Sequence, residues 1–282
     1  MTNKPITNHQ INPKVQCSIV NLRFRIWRLF GYCLLVIGSF AGCISEYNLA
    51  THQEETFLFD DEKEMKVGEA VAKQFDEHYE LVADVDVNER VQRILDRIVA
   101  VCDRKQLVYT IKVVEEDQMN AVSLPGGYIY VFKKLIDKVK SDDELAGVIA
   151  HEVGHVAAKH GMKRLQSSYG YMLLQAMAIA SQDADVVAGV QTAYLTLMLA
   201  YSREDEFQAD RLGVKYLKAA GYDPNAMAAF LAELQKEQNR GPLHEVNYWR
   251  THPYIPERIA VVNQEVTGKL EFKDYLNLTG QQ

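Results

Sequence analysis

The sequence has little of what would indicate a disulfide scaffold, a repeat protein or a membrane-spanning protein. Its four cysteines form no C-x-x-C pair, so neither a zinc ribbon nor a disulfide framework is indicated. No uninterrupted apolar run reaches the roughly 20 residues that a transmembrane helix needs. Internal repeats and low-complexity runs are also missing, so a tetratricopeptide array is not expected.

Acidic residues are missing from the first 45 positions, although five basic residues lie there. Of the 31 basic residues, 26 lie from residue 43 onward together with all 38 acidic residues, so this segment has a net charge of −12. An acidic body argues against nucleic acid as a partner and against a basic membrane-binding surface. The apolar content of 48% and charged content of 24% are typical of a globular protein.

The first segment resembles a bacterial secretory signal. A basic stretch precedes the apolar run 29–40, and two small residues, Ala41 and Gly42, stand before Cys43. This ending is similar to a lipobox, where cleavage falls before the cysteine and the cysteine is then acylated. An uncleaved signal anchor, or an ordinary buried cysteine, is the alternative interpretation.

On the lipobox interpretation the chain divides into three parts. We expect a lipoprotein signal peptide over 1–42, a tether over 43–58 and one domain over 59–282. Ile44 is not the aspartate that retains such lipoproteins in the inner membrane of enteric bacteria. The expected location is therefore the periplasmic face of the outer membrane, with a lipid anchor at Cys43.

The first part of the body predicts two helices followed by strands. Apolar residues recur at helical spacing over 60–79 and 87–101. The β-branched stretch 107–114 is typical of a strand. Residues 120–131 predict a short hairpin at a sheet edge, with Pro125-Gly126-Gly127 as its turn.

The motif His151-Glu-Val-Gly-His155 carries the chemistry of the chain. Histidines at i and i+4 project from one face of a helix and can hold one divalent cation, most naturally zinc. Glu152 is then placed to act as a general base. The motif lies on a helix opened by a capping box at Ser141, and its metal face borders the core. His160 is expected to point about 140° away from His155, which makes it a poor ligand.

A second helix, from Ser202 to about Gly221, offers four acids as a third zinc ligand, and the spacing does not choose among them. Glu206 has Asp210 one turn onward and Arg203 one turn back on the same face, which would support a ligand. An exposed charged helix face is the alternative. The preceding apolar segment, 168–201, predicts a buried helix pair in preference to a membrane insertion.

Four segments, taken together, resemble one zinc metallopeptidase family, that of HtpX and the CAAX prenyl proteases (peptidase family forty-eight). The likeness is greatest to its secreted bacterial branch of BepA and the lipoprotein LoiP. The matching segments are Asn120-Ala-Val-Ser-Leu-Pro-Gly-Gly-Tyr, the His151–His155 motif, Ser202-Arg-Glu-Asp-Glu-Phe-Gln-Ala-Asp210, and Thr251-His-Pro with Arg258-Ile259.

The resemblance implies a fold and a site. The fold is α+β and mainly helical, a gluzincin-type metallopeptidase domain with a small edge sheet and the His151–His155 helix. One zinc ion per chain would be held by His151, His155 and Glu206. Asp210 would support the site, and His252 and Arg258 would face the catalytic cleft.

The resulting hypothesis is zinc-dependent endopeptidase action. Glu152 would remove a proton from water and deliver it to the leaving amine. His252 would either donate to the oxyanion or bind zinc as an inhibitory ligand, and the sequence does not separate these roles. An edge strand could bind unfolded or extended substrates as an added strand. The residues of that edge are Asn120, Ala121, Pro125, Gly126 and Gly127.

The expected function is degradation of misfolded or unassembled proteins in the bacterial cell envelope, with envelope assembly machinery as a further partner. The alternative is a zinc-containing periplasmic chaperone or assembly factor with little proteolytic turnover, for which the acidic surface and the apolar segment 168–201 would serve partner binding. In either case the membrane is reached through the anchor at Cys43.

Overall fold

Strands and helices mix along the residues that the computed structural model describes, which are 44–167, 200–238 and 248–269. The strands are β1 (Ile44–Asn48), β2 (Gln53–Phe57), β3 (Thr110–Val114), β4 (Ala121–Leu124) and β5 (Tyr128–Phe132). The helices are α1 (Asp61–His78), α2 (Val85–Val99), α3 (Lys133–Lys138), α4 (Asp142–Ala157), α5 (His160–Ser167), α6 (Arg203–Ala220), α7 (Asn225–Gln238), α8 (Tyr248–Thr251) and α9 (Ile255–Thr267).

The fold class expected from the sequence is confirmed: helices predominate and the sheets are small. The two amphipathic helices expected over 60–79 and 87–101 correspond to α1 and α2. In α2 the apolar residues at helical spacing are all buried in the core: Val91, Ile94, Leu95 and Ile98. The helical spacing of the apolar residues was enough to predict α2, because one face of this helix packs on the core and the other faces water.

The three-stranded sheet has the order β3-β5-β4. β4 and β5 form the expected antiparallel hairpin, and β3 runs parallel to β5. The turn between β4 and β5 is a 3₁₀ turn, Pro125–Gly127. Gly127 has a φ of 98°, and a Cβ there would lie 2.8 Å from the Val108 carbonyl oxygen, so glycine is required by both conformation and space.

The helix α4 lies in the centre of the body, against α2, α6 and α7. Every residue from Glu144 to Ala157 is buried, so the helix is covered on all sides rather than along one apolar stripe. Ser141 is its N-cap, and the Ser141 hydroxyl accepts from the Glu144 N–H at 3.2 Å, but the second bond of the expected capping box, from the Ser141 N–H to Glu144, is not formed. The Glu144 carboxylate accepts from the N–H of Lys140, one residue before the cap, at 2.7 Å.

Residues 43–58, expected to be a tether, are folded from Ile44 onward. β1 and β2 pair as an antiparallel hairpin whose last residue, Phe57, is buried. The hairpin is fixed to the body by ion pairs, Lys159 Nζ to Glu46 at 2.6 Å and Lys163 Nζ to Glu55 at 2.7 Å. The polar composition that suggested a tether is explained by these pairs.

Two other expected segments, the signal peptide over 1–42 with Cys43 and most of the apolar segment 168–201, lie outside the described residues. In the described ranges the chain has no helix long and apolar enough to cross a membrane.

The close crossing of α4 and α6 depends on Gly154. A Cβ at this position would lie 2.9 Å from the Ala209 carbonyl oxygen and 3.2 Å from the Ala209 Cα, both backbone atoms of α6. The two backbones therefore meet without an intervening side chain, and residues of α6 reach the histidines of α4.

We expect Gly154→Ala to lower the free energy of unfolding by about 1–3 kcal/mol, because the added methyl group must push the two helices apart. Urea denaturation of the metal-free protein measures this. Gly213→Ala is the matched control, because its Cβ would meet first the flexible end of Met227 at 3.3 Å. Equal stabilities of both variants and the wild type would contradict the account of the crossing.

Candidate metal centre

The two histidines of the motif converge on one point inside the body. The His151 and His155 Nε2 atoms are 2.9 Å apart, and both side chains are buried. The arrangement follows from their positions one turn apart on α4, where both rings extend from the same face. A face carrying two imidazoles in the core requires partners from the facing elements.

Glu206 supplies a carboxylate that faces the Nε2 atoms of both histidines. Its Oε2 lies 3.5 Å from His151 Nε2 and its Oε1 lies 3.5 Å from His155 Nε2. Of the four acids in the first part of α6, Glu204 is exposed and Asp205 is half-buried, whereas Glu206 and Asp210 are buried. The sequence left this choice open, and the Gly154 crossing decides which acids face α4.

His252 completes the cluster from the residue after α8. Its Nδ1 lies 3.1 Å from Glu206 Oε1 and 3.3 Å from His151 Nε2. The ring stacks on Tyr248 with centroids 4.4 Å apart, and its backbone N–H donates to the Tyr248 carbonyl oxygen at 2.7 Å. Apart from the family resemblance, no sequence pattern pointed to His252, because a lone histidine in a loop usually has no binding role.

This donor set fits a zinc ion. Four residues each offer one ligand atom, and these atoms all lie within 4.8 Å of one another: His151, His155, Glu206 and His252. Imidazole nitrogen and carboxylate oxygen are the ligand types that zinc prefers, in sets of three or four. These ligand atoms are buried away from water. A bound cation would therefore compensate the free energy that their burial costs.

The protonation of Glu206 and His155 also suits a cation. Burial raises the pKa of Glu206, but the charges of Arg258 and His252 outweigh it and hold the pKa well below its usual range. Burial, together with the neighbouring His151, lowers the pKa of His155 far below 6.5. An ionised carboxylate and a neutral imidazole are the forms that bind metals.

Asp210 and Arg258 form a buried pair beside the cluster. The Arg258 Nε and Nη2 atoms each donate to Asp210 at 2.8 Å, and Nη1 lies 2.9 Å from Glu206 Oε2. Asp210 Oδ1 is also 2.9 Å from His151 Nδ1. Burial and Arg258 both lower the pKa of His151, but Asp210 outweighs them, and the pKa rises to about 9. Because Asp210 contacts Nδ1 of His151, Nε2 is the ring nitrogen that faces the cluster.

Glu152 is buried beside the cluster without a hydrogen-bond partner. Neither of its carboxylate oxygens has one within the described part of the chain, and the nearest ring nitrogen, Nε2 of His252, is 3.5 Å from Oε1. An unpartnered buried carboxylate costs folding free energy. Such a group is retained where its oxygens are needed for chemistry.

Arg203 does not support the cluster, so this part of the sequence interpretation is wrong. The side chain is 49% exposed, lies 3.8 Å from Glu257 and sits over the ring of Tyr254 at 5.1 Å. Arg203 is the first residue of α6, where the side chain extends outward past the helix end. The cation that contacts Glu206 is Arg258, which comes from α9.

His160 contacts the cluster although the sequence predicted that it would point away. The extrapolation assumed that α4 continues, but the helix ends at Ala157 and Lys159 has a left-handed φ of 56°. The turn brings His160 Nδ1 to 2.8 Å from His155 Nδ1. Burial lowers the pKa of His160 to about 4, so the ring is neutral. Nothing in the local sequence signals a left-handed lysine.

The five residues expected at the substrate edge are all buried in this conformation: Asn120, Ala121, Pro125, Gly126 and Gly127. Asn120 Oδ1 accepts from the Thr251 hydroxyl at 3.1 Å, which connects the edge to the segment that carries His252. The Gly126 N–H donates to the buried Glu64 at 3.2 Å. A role in substrate binding stays a prediction.

A carboxylate and imidazoles around one point, beside a glutamate that has no hydrogen-bond partner among the described residues, are the arrangement found in zinc metallopeptidases. Residues 86–266 match peptidase family M48, which is more than half of the chain, and the chain belongs to this family. The family expected from the four segments is therefore confirmed, together with zinc as its cofactor.

Three relatives illustrate the similarity. The chain is 29% identical over 177 residues to the mitochondrial metalloendopeptidase OMA1 of Schizosaccharomyces pombe, covering 62% of this chain and 51% of that protein. It is 28% identical over 212 residues to the putative beta-barrel assembly-enhancing protease of Vibrio cholerae, covering 71% and 43%. It is 34% identical over 156 residues to OMA1 of Arabidopsis thaliana, covering 55% and 31%. The chain thus spans about half or less of these relatives.

Proposed function

We propose that His151, His155 and Glu206 hold the zinc ion and that Glu152 is the general base of an endopeptidase acting on unfolded polypeptides. The observation that carries this proposal is the buried convergence of three donors beside a carboxylate that has no hydrogen-bond partner among the described residues. When bound, zinc polarises the substrate carbonyl and lowers the pKa of water.

The protein's own groups then perform the proton transfers. Glu152 removes a proton from the attacking water as the new C–O bond forms, and it then delivers this proton to the amine nitrogen, so that the peptide C–N bond breaks and the amine leaves. Asp210 accepts from His151 Nδ1, so Nε2 is the nitrogen of His151 that would bind zinc, with release of its proton. Arg258 balances the charges of Asp210 and Glu206.

The conformation described here is closed. The side chains of the site are each at most 1% exposed: His151, Glu152, His155, Glu206 and His252. A polypeptide reaches them only after a covering segment moves. Because His252 Nδ1 stands within ligand distance of the same point as the other donors, we infer that His252 is an inhibitory ligand of the closed form.

We expect His252→Ala to raise cleavage of unfolded casein about tenfold or more, because the open form of a two-state protein is commonly populated at about 10% or less. Initial rates with fluorescent casein measure this, with His78→Ala on the exposed face of α1 as control. A fall in kcat at unchanged KM would contradict the inhibitory role and indicate a donor to the oxyanion instead.

Substrates of the proposed enzyme are unfolded or extended segments. The strand β4 pairs with β5 on one side, and a substrate strand could add at its other side through main-chain hydrogen bonds, which accept many sequences. Cleavage of casein, but not of a stably folded protein of similar size, would support this. Cleavage that persists after zinc is removed by a chelator would contradict it.

A role in protein quality control in the bacterial cell envelope is the physiological part of the proposal. The signal-like segment 1–42, the lipobox-like Cys43 and the bacterial relatives named for β-barrel assembly support it. Mitochondrial relatives exist at similar identity, so location needs a direct test. Labelling with radioactive palmitate should mark the wild type and not Cys43→Ser, and membrane fractionation should show release of that variant.

The closed site also favours a second candidate, a zinc-containing chaperone or assembly factor with little turnover. Under that candidate, the purified protein binds zinc and suppresses aggregation of an unfolded client without cutting it. Under the endopeptidase proposal, the same incubation gives fragments that disappear with chelator.

A further inference from the structure

We propose that His160 and Gln208 form a proton-positioning relay that fixes the tautomer of His155, so that its Nε2 lone pair faces the zinc site. The inference rests on the proposed ligand set, because it assigns His155 as a ligand through Nε2. It makes His160 a positioning residue rather than a ligand.

The geometry of the relay is a linear succession of contacts. His155 Nδ1 lies 2.8 Å from His160 Nδ1, and His160 Nε2 lies 2.8 Å from Gln208 Oε1. Asp205 Oδ1 is 3.5 Å from the same His160 Nε2. Both histidines are buried, so water does not compete for these contacts.

The hydrogen positions follow from counting donors. The oxygens of Gln208 and Asp205 only accept, so His160 Nε2 carries the hydrogen. His160 is buried, which disfavours a charged ring, so the hydrogen on Nε2 is its only N–H and Nδ1 has a lone pair. Between two ring nitrogens 2.8 Å apart one must donate, and this is His155 Nδ1. His155 Nε2 therefore keeps its lone pair, 2.9 Å from His151 Nε2.

The ring of His155 is also held from its face. Tyr201 stacks on it with centroids 3.8 Å apart and an interplanar angle of 22°, and Arg164 lies over the Tyr201 ring at 3.4 Å. Rotation of His155 would therefore break the contact to His160 and the stack on Tyr201 together. The two zinc-site histidines are supported differently, His151 by the carboxylate of Asp210 and His155 by a neutral imidazole.

The relay is tested by zinc affinity and by NMR of the full chain. Loss of a group that orients a metal-binding histidine typically costs 10–100-fold in metal affinity. We expect His160→Phe, which keeps a ring and removes the acceptor, to weaken zinc binding by about that factor in competition with a chelator. His160→Asn restores an acceptor near the position of Nδ1 and should recover most of the affinity.

Variants at Gln208 test the far end of the relay. Gln208 is half-buried, so Gln208→Leu should fold while releasing the tautomer of His160, and zinc affinity should fall less than with His160→Phe. Gln92→Leu is the matched control, because Gln92 is exposed on α2 and its amide donates only to Asp96 there. The control should bind zinc like the wild type.

Long-range ¹H–¹⁵N spectra of the metal-free protein give a readout that a merely structural role would not change. The wild type should show the hydrogen of His155 on Nδ1, and His160→Phe should shift it toward Nε2. Protonation of His155 on Nε2 in the wild type, or unchanged zinc affinity in His160→Phe, would overturn the relay. A wild type that binds no zinc would overturn the ligand set instead, while the spectra would still decide the relay.

Discussion

Replacing Glu152 with glutamine should lower kcat/KM for an unfolded substrate by about 10²–10⁴-fold, the usual contribution of a general base, while one zinc ion per chain is retained. The amide has nearly the same shape as the carboxylate but accepts no proton. Because Glu152 is buried and has no hydrogen-bond partner in the part of the chain that the structure describes, neutralising it should also raise the free energy of unfolding.

The experiment compares casein cleavage, zinc content and urea denaturation in one set of preparations. Glu204→Gln is the matched control, since Glu204 is exposed on α6 and the same change there should leave all three quantities as in the wild type. Activity near the wild-type level in Glu152→Gln would show that another group accepts the proton. Because a variant with zinc and without turnover would retain bound substrate, it also provides a trap for identifying natural substrates in cells by mass spectrometry.

Replacing Arg258 with methionine should lower the free energy of unfolding of the metal-free protein by about 3–5 kcal/mol. The change leaves the carboxylates of Asp210 and Glu206 buried without their cation, and these are the groups that Arg258 contacts at 2.8 and 2.9 Å. Burial lowers the pKa of Arg258, but Asp210 and Glu206 outweigh it and hold the pKa well above its usual value, so the guanidinium stays charged. Urea denaturation measures the loss.

Two variants make this result specific. Arg258→Lys keeps the charge but loses the paired donation to Asp210, so its stability should fall between those of the wild type and Arg258→Met. Arg93→Met removes an exposed ion pair with Glu89, 3.9 Å long, and should change stability little. If Arg258→Met were as stable as Arg93→Met, the buried pair would not be holding α6 and α9 together.

The parts of the fold that follow a local period were predictable from the sequence. In α2 the apolar residues recur at helical spacing, and in 120–131 a Pro-Gly-Gly turn separates two short, mostly apolar stretches. The N-cap at Ser141 likewise depends only on a residue three positions away. In each case residues close together in the sequence determine the local structure, and tertiary contacts do not change it.

The parts that depend on a tertiary contact were not predictable in the same way. The choice of Glu206 among four acids is made by the crossing of α4 over α6 at Gly154. Family resemblance identified the residue where spacing did not. The position of His160 depends on a left-handed Lys159, and helical extrapolation through that residue gave the wrong direction.

Charge patterns were the least informative part of the sequence. Arg203 was expected beside Glu206, but it is the first residue of α6 and turns outward to Glu257. The polar stretch 44–58 suggested a tether, yet its acids pair with Lys159 and Lys163 on the body. A charge run has the same composition whether its partners are water or other residues, so only the structure separates the two.

Metal content of the purified protein, measured by mass spectrometry after loosely bound ions are removed, tests the proposed zinc site directly. We expect one zinc per chain in the wild type and in Glu152→Gln, and almost none in His155→Ala or Glu206→Ala. A wild type without zinc, or a Glu206→Ala variant that retains it fully, would contradict the proposed ligand set.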